Sequence, residues 1–447
     1  MLDIKFIREN ADLVKKAVVE KKLGVDIDEL LKLDKILVEK TQKLESLRAK
    51  RNVINGQIKK PADSEERNKL IEENTKLKPE VKLLEDELVD IEKDFDNLMS
   101  QVPTVPSKDV PFGNSEKDNV EIERFGVMSL DKFDFEPKDY MTLAKDLDLI
   151  DFDRGAKVSG YRGYYIKNEL VLIQMGLMMH ALTKLIAKGF MPMIPPTIIK
   201  EFALYGSGYF SGREYNSDTD EIYRLASRDK DEDGTIQKED KFLIGTAEPA
   251  LLAYYSGEVL DIKALPMKLC GFSQCYRSEI GSYGRDTKGI YRVHEFMKVE
   301  QVAIMPANIE LSNQIHEEFI QISKELHQDI GIPYRQIIIC TGDLGAGKYK
   351  QYDMETWVPS LVDSERGGFA ETGSASNFLD WQSRRLNVKY KDENGDKKYV
   401  YMLNNTAIPS PRFLISILEN YQQKDGSVVV PDVLRKYTGC DVILKKS

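Results

Sequence analysis

Between Gly271 and Gln301 lie residues whose types and order suggest chemistry: Arg277, Glu279, Arg292, His294, Phe296 and Glu300. A guanidinium at a strand end can fork onto a carboxylate or a phosphate through two parallel hydrogen bonds. Phe296 offers a flat face on which a base can stack. Glu300, if buried, must find a cation or a donor. The elements that must position them follow from the pattern. Met267 to Tyr276 is an apolar, strand-like run that ends at Arg277-Ser278-Glu279. A loop rich in glycine and charge follows, from Ile280 to Gly289, and a second strand-like run carries Arg292 to Glu300. Two strands around a loop of about ten residues form a long hairpin, and loops of that length are usually functional. Taken alone, Arg-Ser-Glu reads more readily as an ordinary hairpin with solvated charges.

The pattern is longer than that triplet. FSQCYRSE, Phe272 to Glu279, and IYRVHEFMKVE, Ile290 to Glu300, resemble motif 2 of the class II aminoacyl-tRNA synthetases in its seryl form. Three further stretches agree in the right order: GTAE at Gly245 to Glu248, ETGSASNFLDWQSRR at Glu371 to Arg385, and NNTAIPSPR at Asn404 to Arg412. From end to end the chain is similar to the seryl-tRNA synthetase family.

The resemblance implies ligation of L-serine to serine tRNA through seryl-adenylate, with ATP and Mg²⁺. It implies catalytic roles for Arg277, Glu279 and Arg412. ATP would be held by Arg277, Ser278, Glu279, Val293, Phe296, Glu371, Thr372, Gly373, Ser374 and Arg412, with Glu371 and Ser374 as magnesium ligands. Serine would be held by Thr246, Ala247, Glu248, Arg277, Glu300 and Thr406. The family also serylates selenocysteine tRNA where the organism has one. Such a reaction needs positioning and electrostatics but no nucleophilic side chain, because the substrate carboxylate attacks. That suits a chain with only four histidines and no evident triad. Two rivals are a related class II ligase that loads another amino acid, or a carrier protein instead of tRNA, and a catalytically dead paralogue that only binds RNA or protein. The first should lack a coiled-coil arm, and the second should have lost Arg277, Glu279, Glu371 or Arg412.

The arm is read from periodicity. From Asp28 to Met99, apolar positions step by threes and fours, broken at Lys59-Lys60-Pro61-Ala62-Asp63-Ser64. A sustained period of 3.5 means two helices supercoiled on one another, here antiparallel, each roughly 50 Å long at 1.5 Å rise per residue. Pro79 should kink the second helix. Arg48, Lys50, Arg51, Lys59, Lys60 and Arg67 place positive charge toward the tip of an acidic protein, which suits a phosphate backbone gripped at a distance. A solvated coiled-coil face is the plainer alternative; the resemblance assigns the arm to the tRNA.

With 447 residues, 41% hydrophobic and 31% charged, the chain has length for two or three soluble domains. Its net charge of −10 argues against non-specific nucleic-acid binding by the whole surface. Cys270, Cys275, Cys340 and Cys440 show no metal spacing and read as reduced core thiols of a cytoplasmic protein. No secretory leader pattern opens the chain, and Leu170 to Leu185 is too short and interrupted to span a membrane.

The expected organisation is an α+β protein. An N-terminal tRNA-binding domain with a long antiparallel helical coiled coil covers 1–102. Its first 25 residues or so are expected to form one short amphipathic helix. A proline-rich linker covers 103–123. A class II catalytic domain at 124–447 carries a mainly antiparallel sheet with flanking helices. Helix Val171–Ala187 followed by FMPMIPPTII, Phe190 to Ile199, resembles class II motif 1, which implies a homodimer. Asp229 to Asp240 approximates a calcium loop, but strand-like runs flank it, so an acidic hairpin tip with Asp233-Gly234 in the turn is the preferred reading.

Overall fold

The computed structural model describes residues 1–59, 64–210, 212, 215–230, 233–237, 239–280, 289–361 and 367–445. They fall into two compact units, Met1–Pro103 and Thr104–Ser447.

The first unit opens with two short helices, Ile4–Glu9 and Ala11–Glu20, where the sequence suggested one. Asn10 divides them. Its side-chain and backbone N–H groups both bond the Phe6 carbonyl, the local competition that makes asparagine a helix breaker. Helix α1 (Ile27–Ile58) starts at Asp26, whose carboxylate accepts from the backbone N–H of Asp28 and Glu29. Helix α2 (Ser64–Gln101) passes through Pro79 as one element. Leu44, Val81, Leu84 and Leu88 bury themselves along the seam, with Leu37 and Leu47 beside them. Cross-links run in opposite senses along the two helices: Lys40 to Glu87, Arg48 to Glu85, Lys50 to Glu73 and Arg51 to Asn74. The pair is therefore antiparallel, as its period requires. Pro61–Asp63 of the expected reversal lie outside the described residues.

The second unit is built on an eight-stranded sheet. Its strands are β1 (Val120–Phe125), β2 (Met191–Met193), β3 (Met267–Tyr276), β4 (Glu295–Met305), β5 (Tyr334–Ile338), β6 (Lys350–Val358), β7 (Gly368–Leu379) and β8 (Tyr401–Pro409). Across the sheet the order is β1-β5-β6-β7-β8-β4-β3-β2, antiparallel throughout except that the edge strand β2 runs parallel to β3. Helices α3 (Glu169–Ala187), α4 (Ile309–Ile330) and α5 (Ser410–Asn420) pack their apolar residues on it. Leu177, Leu185, Phe319, Leu326, Phe413 and Leu414 meet Val299, Ala303, Leu403 and Ala407 in one core. Helix α3 is long and apolar enough to cross a membrane, but 39% of it is buried inside the protein.

Two expectations change. The stretch read as a linker is packed: Thr104 Oγ1 donates to the Gly347 carbonyl at 2.8 Å, and Val110 is buried with Ile337, Ile339 and Leu344. Strand β1 already begins at Val120. Proline-rich composition reports the absence of a helical or strand period, not the absence of partners. The strand expected over Phe190 to Ile199 is two: β2 belongs to the large sheet, whereas Ile198–Lys200 pairs with Lys241–Leu243 elsewhere. Pro195 and Pro196 lie between them; they carry no N–H and favour a break.

The described residues of the acidic stretch fit the hairpin reading. Lys230 bridges Ile236, Gly234 takes φ +84°, and Asp240 receives Arg224 and Arg228. Cys270, Cys275 and Cys340 are buried free thiols, and Cys440 is half-buried.

Candidate active site

The β3–β4 ladder runs from Met267↔Ile304 to Tyr276↔Glu295. It is then closed by one more pair that belongs to neither strand. Arg277 N–H donates to the His294 carbonyl at 2.9 Å, and His294 Nδ1 lies 2.9 Å from the Arg277 carbonyl. Arg277 is thus fixed at the neck of the hairpin. Its Nε reaches the Gly245 carbonyl at 3.4 Å, and its guanidinium carbon stands 5.6 Å from the Phe296 ring centroid. Two residues on, Glu279 adopts φ +54°, a left-handed conformation that costs a non-glycine residue about 1 kcal/mol or more. Its carboxylate is buried, with Arg162 and Arg292 guanidinium nitrogens each 3.4 Å away. Most of the loop beyond, 281–288, lies outside the described residues.

Below this hairpin opens a cleft of about 160 Å³. Arg277, Glu279, Val293, Phe296, Glu371, Thr372, Gly373, Thr406 and Arg412 all line it, as do Tyr291, Arg292 and Lys298. Strand β7 supplies Glu371 and Gly373. A side chain at 373 would bring its Cβ to 3.0 Å from the Thr406 carbonyl, so the neighbouring strand leaves little room for one. Arg412 sits in the first turn of α5. It donates to the Glu371 carbonyl at 2.5 Å and stands 4.9 Å from the Tyr291 ring centroid.

At one end of the cleft is a closed polar cluster. Glu300 Oε2 accepts from Thr246 Oγ1 at 2.9 Å and from Thr406 Oγ1 at 3.3 Å. Lys298 Nζ lies 2.6 Å from the same oxygen and donates to Thr406 Oγ1 at 3.2 Å. Strand pairing sets this up: Glu300 stands directly opposite Thr406, and Lys298 lies two residues before Glu300 on the same face. Lys298 is the member that sequence reasoning missed, because only the strand pairing brings it to Thr406.

Other expected residues are occupied by partners of their own or buried. Ala247 packs in the apolar core. Glu248 opens a short helix, and its Oε1 accepts from Gln382 at 2.7 Å and Asn404 at 2.6 Å. Burial, aided by the Glu300 charge, pushes its carboxyl up to about 7. The Ser278 hydroxyl is buried outside the cleft lining. The Thr372 hydroxyl lies 2.8 Å from His327 Nε2, and His327 belongs to α4. Only the Thr372 backbone is left to serve the cleft.

Ser374 Oγ accepts from Gln351 Nε2 at 2.9 Å, and the same amide donates to Asp353 Oδ1 at 2.7 Å. Burial and the nearby charge of Glu371 push the Asp353 carboxyl up to about 7. Glu371, Ser374 and Asp353 are all hard oxygen donors, a set that fits Mg²⁺ rather than a thiophilic metal. Among the described residues, no group of three or more His, Cys, Asp or Glu could hold a metal ion.

The expected tRNA contacts lie in the first unit. Arg48 and Lys50 pair with Glu85 and Glu73 of the facing helix at 2.7 and 2.8 Å, and Arg51 Nε bonds Asn74. Lys59 caps the end of α1 and Arg67 lies in the first turn of α2; neither forms an ion pair with another described residue. Lys60 lies outside the described residues.

Comparison with known proteins gives a consistent result. The family described as tRNA synthetase class II core domain (G, H, P, S and T) matches residues 230–421, and Seryl-tRNA synthetase N-terminal domain matches residues 1–106. The serine–tRNA ligase of Borreliella afzelii is 43% identical over 444 residues, 99% of each chain. That of Treponema denticola is 40% identical over 99% of this chain and 100% of its own. Among solved structures, seryl-tRNA synthetase from Pyrococcus horikoshii, complexed with ATP, superposes with a TM-score of 0.85 at 37% identity over 100% of both chains. The cytoplasmic serine–tRNA ligase of Naegleria fowleri, in complex with AMP, gives 0.84 at 28% identity over 100% of this chain and 99% of its own.

Proposed function

The chain belongs to the seryl-tRNA synthetase family, and from that premise we propose how its own residues activate serine and pass it to tRNA. The protein is an ATP-dependent serine–tRNA ligase. In the first step the serine carboxylate attacks the α-phosphorus of ATP and pyrophosphate leaves. In the second, a ribose hydroxyl at the tRNA 3′ end attacks the seryl carbonyl and AMP leaves.

Arg277 bridges the α-phosphate and the attacking carboxylate. Its fork suits two anions that must approach one another, and the His294 clamp fixes it before substrate arrives. Adenine stacks between Phe296 and Arg412. The planar guanidinium makes such a sandwich possible where a lysine would not. Glu279, held in place by Arg162 and Arg292, faces the adenine edge together with the Val293 backbone. Glu371 and Ser374 would hold Mg²⁺, with Gln351 orienting the Ser374 hydroxyl. When bound, the metal supplies positive charge to the departing pyrophosphate. Glu300 and Thr406 receive the serine ammonium and hydroxyl, and Thr246 steadies Glu300. A site that satisfies a hydroxyl rejects its absence by roughly 10⁴–10⁵, so alanine and glycine are excluded by unpaired polar groups. Ala247 and Glu248 act through the backbone that presents Thr246.

The arm of domain 1–102 carries tRNA(Ser) on Lys59, Lys60 and Arg67, with Arg48, Lys50 and Arg51 behind them. The same reading extends to selenocysteine tRNA in a cell that has one. The catalytic domain 124–447 forms a cytoplasmic homodimer through α3 and β2. Met175, Met179, Ile186, Met191 and Ile194 support this, because each is at least two-fifths exposed on a segment otherwise anchored in the core.

The observation that carries this reading is the convergence of Arg277, Phe296, Glu371, Thr406 and Arg412 on one cleft. Serine-dependent exchange of pyrophosphate into ATP, without tRNA, tests it. Exchange is expected with serine and not with alanine, glycine or threonine. Folded protein that gives no exchange with serine would overturn the assignment of these residues.

A further inference from the structure

We propose that Lys298 is a substrate-contacting residue that exchanges partners: it pairs with Glu300 in the free site and turns to the serine carboxylate when the amino acid binds. The inference rests on the reading that Glu300 and Thr406 receive serine.

Three observations lead to it. Glu300 Oε2 takes donors from Lys298, Thr246 and Thr406 at 2.6, 2.9 and 3.3 Å, more than the two lone pairs of one oxygen serve well. An incoming ammonium must displace one of them, and the two threonines sit on short, stiff side chains. Lys298 alone has a four-carbon stem, and it already lines the cleft beside Arg277, Phe296 and Thr406. Its side chain is 6% exposed and that of Glu300 is 3%, so neither charge can be left without a partner.

Charge balance then fixes where Lys298 goes. Before binding, one cation and one anion face each other. Serine enters as a zwitterion. If its ammonium takes Glu300, the anion left for Lys298 is its carboxylate. One buried ion pair becomes two, and no charge is stranded. A ligand with the ammonium but no carboxylate would put two cations on one glutamate. The site is therefore matched to the free amino acid, and Lys298 joins Arg277 in aiming the carboxylate at the α-phosphate.

L-Serinamide isolates this contact, because it keeps the ammonium and hydroxyl and lacks the carboxylate charge. Binding of L-serine and of L-serinamide to the full-length protein is measured by calorimetry, in wild type and in Lys298→Met. Serine binding is expected to weaken about tenfold or more, the scale of one charge-assisted hydrogen bond. Serinamide binding is expected to stay the same or tighten, because the competing cation has gone. Equal weakening of both ligands would mean that Lys298 only props Glu300, and unchanged serine binding would mean that it touches nothing; either result overturns the proposal. If circular dichroism shows that Lys298→Met does not fold, Lys298→Gln takes its place with the same expected outcomes. Thr406→Ala is the control for the underlying reading: it should weaken both ligands, and if it weakens neither, the serine subsite lies elsewhere.

Discussion

Arg277 and His294 hold one another by two hydrogen bonds, backbone N–H to carbonyl in one direction and imidazole Nδ1 to carbonyl in the other, both at 2.9 Å. The carbonyl accepts, so Nδ1 carries the proton. This pair shuts the hairpin just where the Arg277 guanidinium leaves it. His294→Ala removes one of the two ties and leaves Arg277 itself intact. The exchange rate is expected to fall about tenfold with little change in the KM for serine, because misplacement acts on the transition state. Arg277→Ala should cost on the order of 10²–10³ or more in kcat. Steady-state exchange kinetics of the two variants check the ranking; equal losses would deny His294 a positioning role.

Glu371→Gln removes the exposed carboxylate of the proposed magnesium pair and keeps the cleft shape. The Mg²⁺ concentration for half-maximal exchange should rise about tenfold, the scale usual for weakened metal sites. Calorimetric serine binding should be unchanged. Arg412 should keep its hold on the strand, since its shorter contact is to the Glu371 backbone oxygen.

The cations of the arm divide into two classes. Arg48 and Lys50 already face Glu85 and Glu73, whereas Lys59 and Arg67 form no ion pair among the described residues. Lys59→Glu and Arg67→Glu should raise the KM for tRNA several-fold and flatten its salt dependence. Arg48→Ala should do less, since its charge is already half spent on Glu85. None of the three should alter exchange measured without tRNA. Charging assays at two salt concentrations separate these cases.

Buried carboxyls give stability a pH dependence of known sign. Burial holds Glu248 and Glu419 up at about 7, against ordinary values near 4.5. Each folded carboxyl therefore keeps its proton where the unfolded chain has lost it. Their contribution is complete below pH 4.5 and is lost as pH rises to about 7, on the order of 1–3 kcal/mol each. Burial holds His316 and His327 down at about 4, so their contribution runs the other way, lost as pH falls from 6.5. The two trends oppose in the wild type. Glu248→Gln isolates one of them, because an amide oxygen can still accept from Gln382 and Asn404. Its urea midpoint relative to wild type should climb between pH 4.5 and 7 and level off above. A difference that does not vary with pH would contradict the assignment.

Much of this was legible from residue order. The heptad steps gave the two helices of the arm to within a few residues, because a seam that buries only itself must repeat. The β3–β4 hairpin was readable because two strand-like runs flank a loop rich in glycine and charge; β4 is buried almost throughout, so alternation gave no help. What escaped notice depended on partners distant in sequence. Lys298 looks like an ordinary strand lysine until Thr406 is set opposite Glu300. Arg162, within a glycine-rich turn, gives no sign that it will meet Glu279 more than a hundred residues later. Glu248 falls within a family motif, yet its Oε1 is already taken by Gln382 and Asn404. The proline-rich stretch escaped in the same way: the Gly347 carbonyl and the Ile337, Ile339 and Leu344 side chains that it packs against lie far along the chain.

The register of the outer strand also constrains how the protein is made. Arg124 of β1 stands opposite Arg335 of β5. On a ribosome adding roughly 5–20 residues per second, that edge waits on the order of 10–40 s for its complement. The helices of the arm meet across far shorter stretches of chain and can zip as they emerge. The part assigned to tRNA is thus finished before the cleft, which needs both Arg277 and Arg412 and cannot come together until Arg412 has been made.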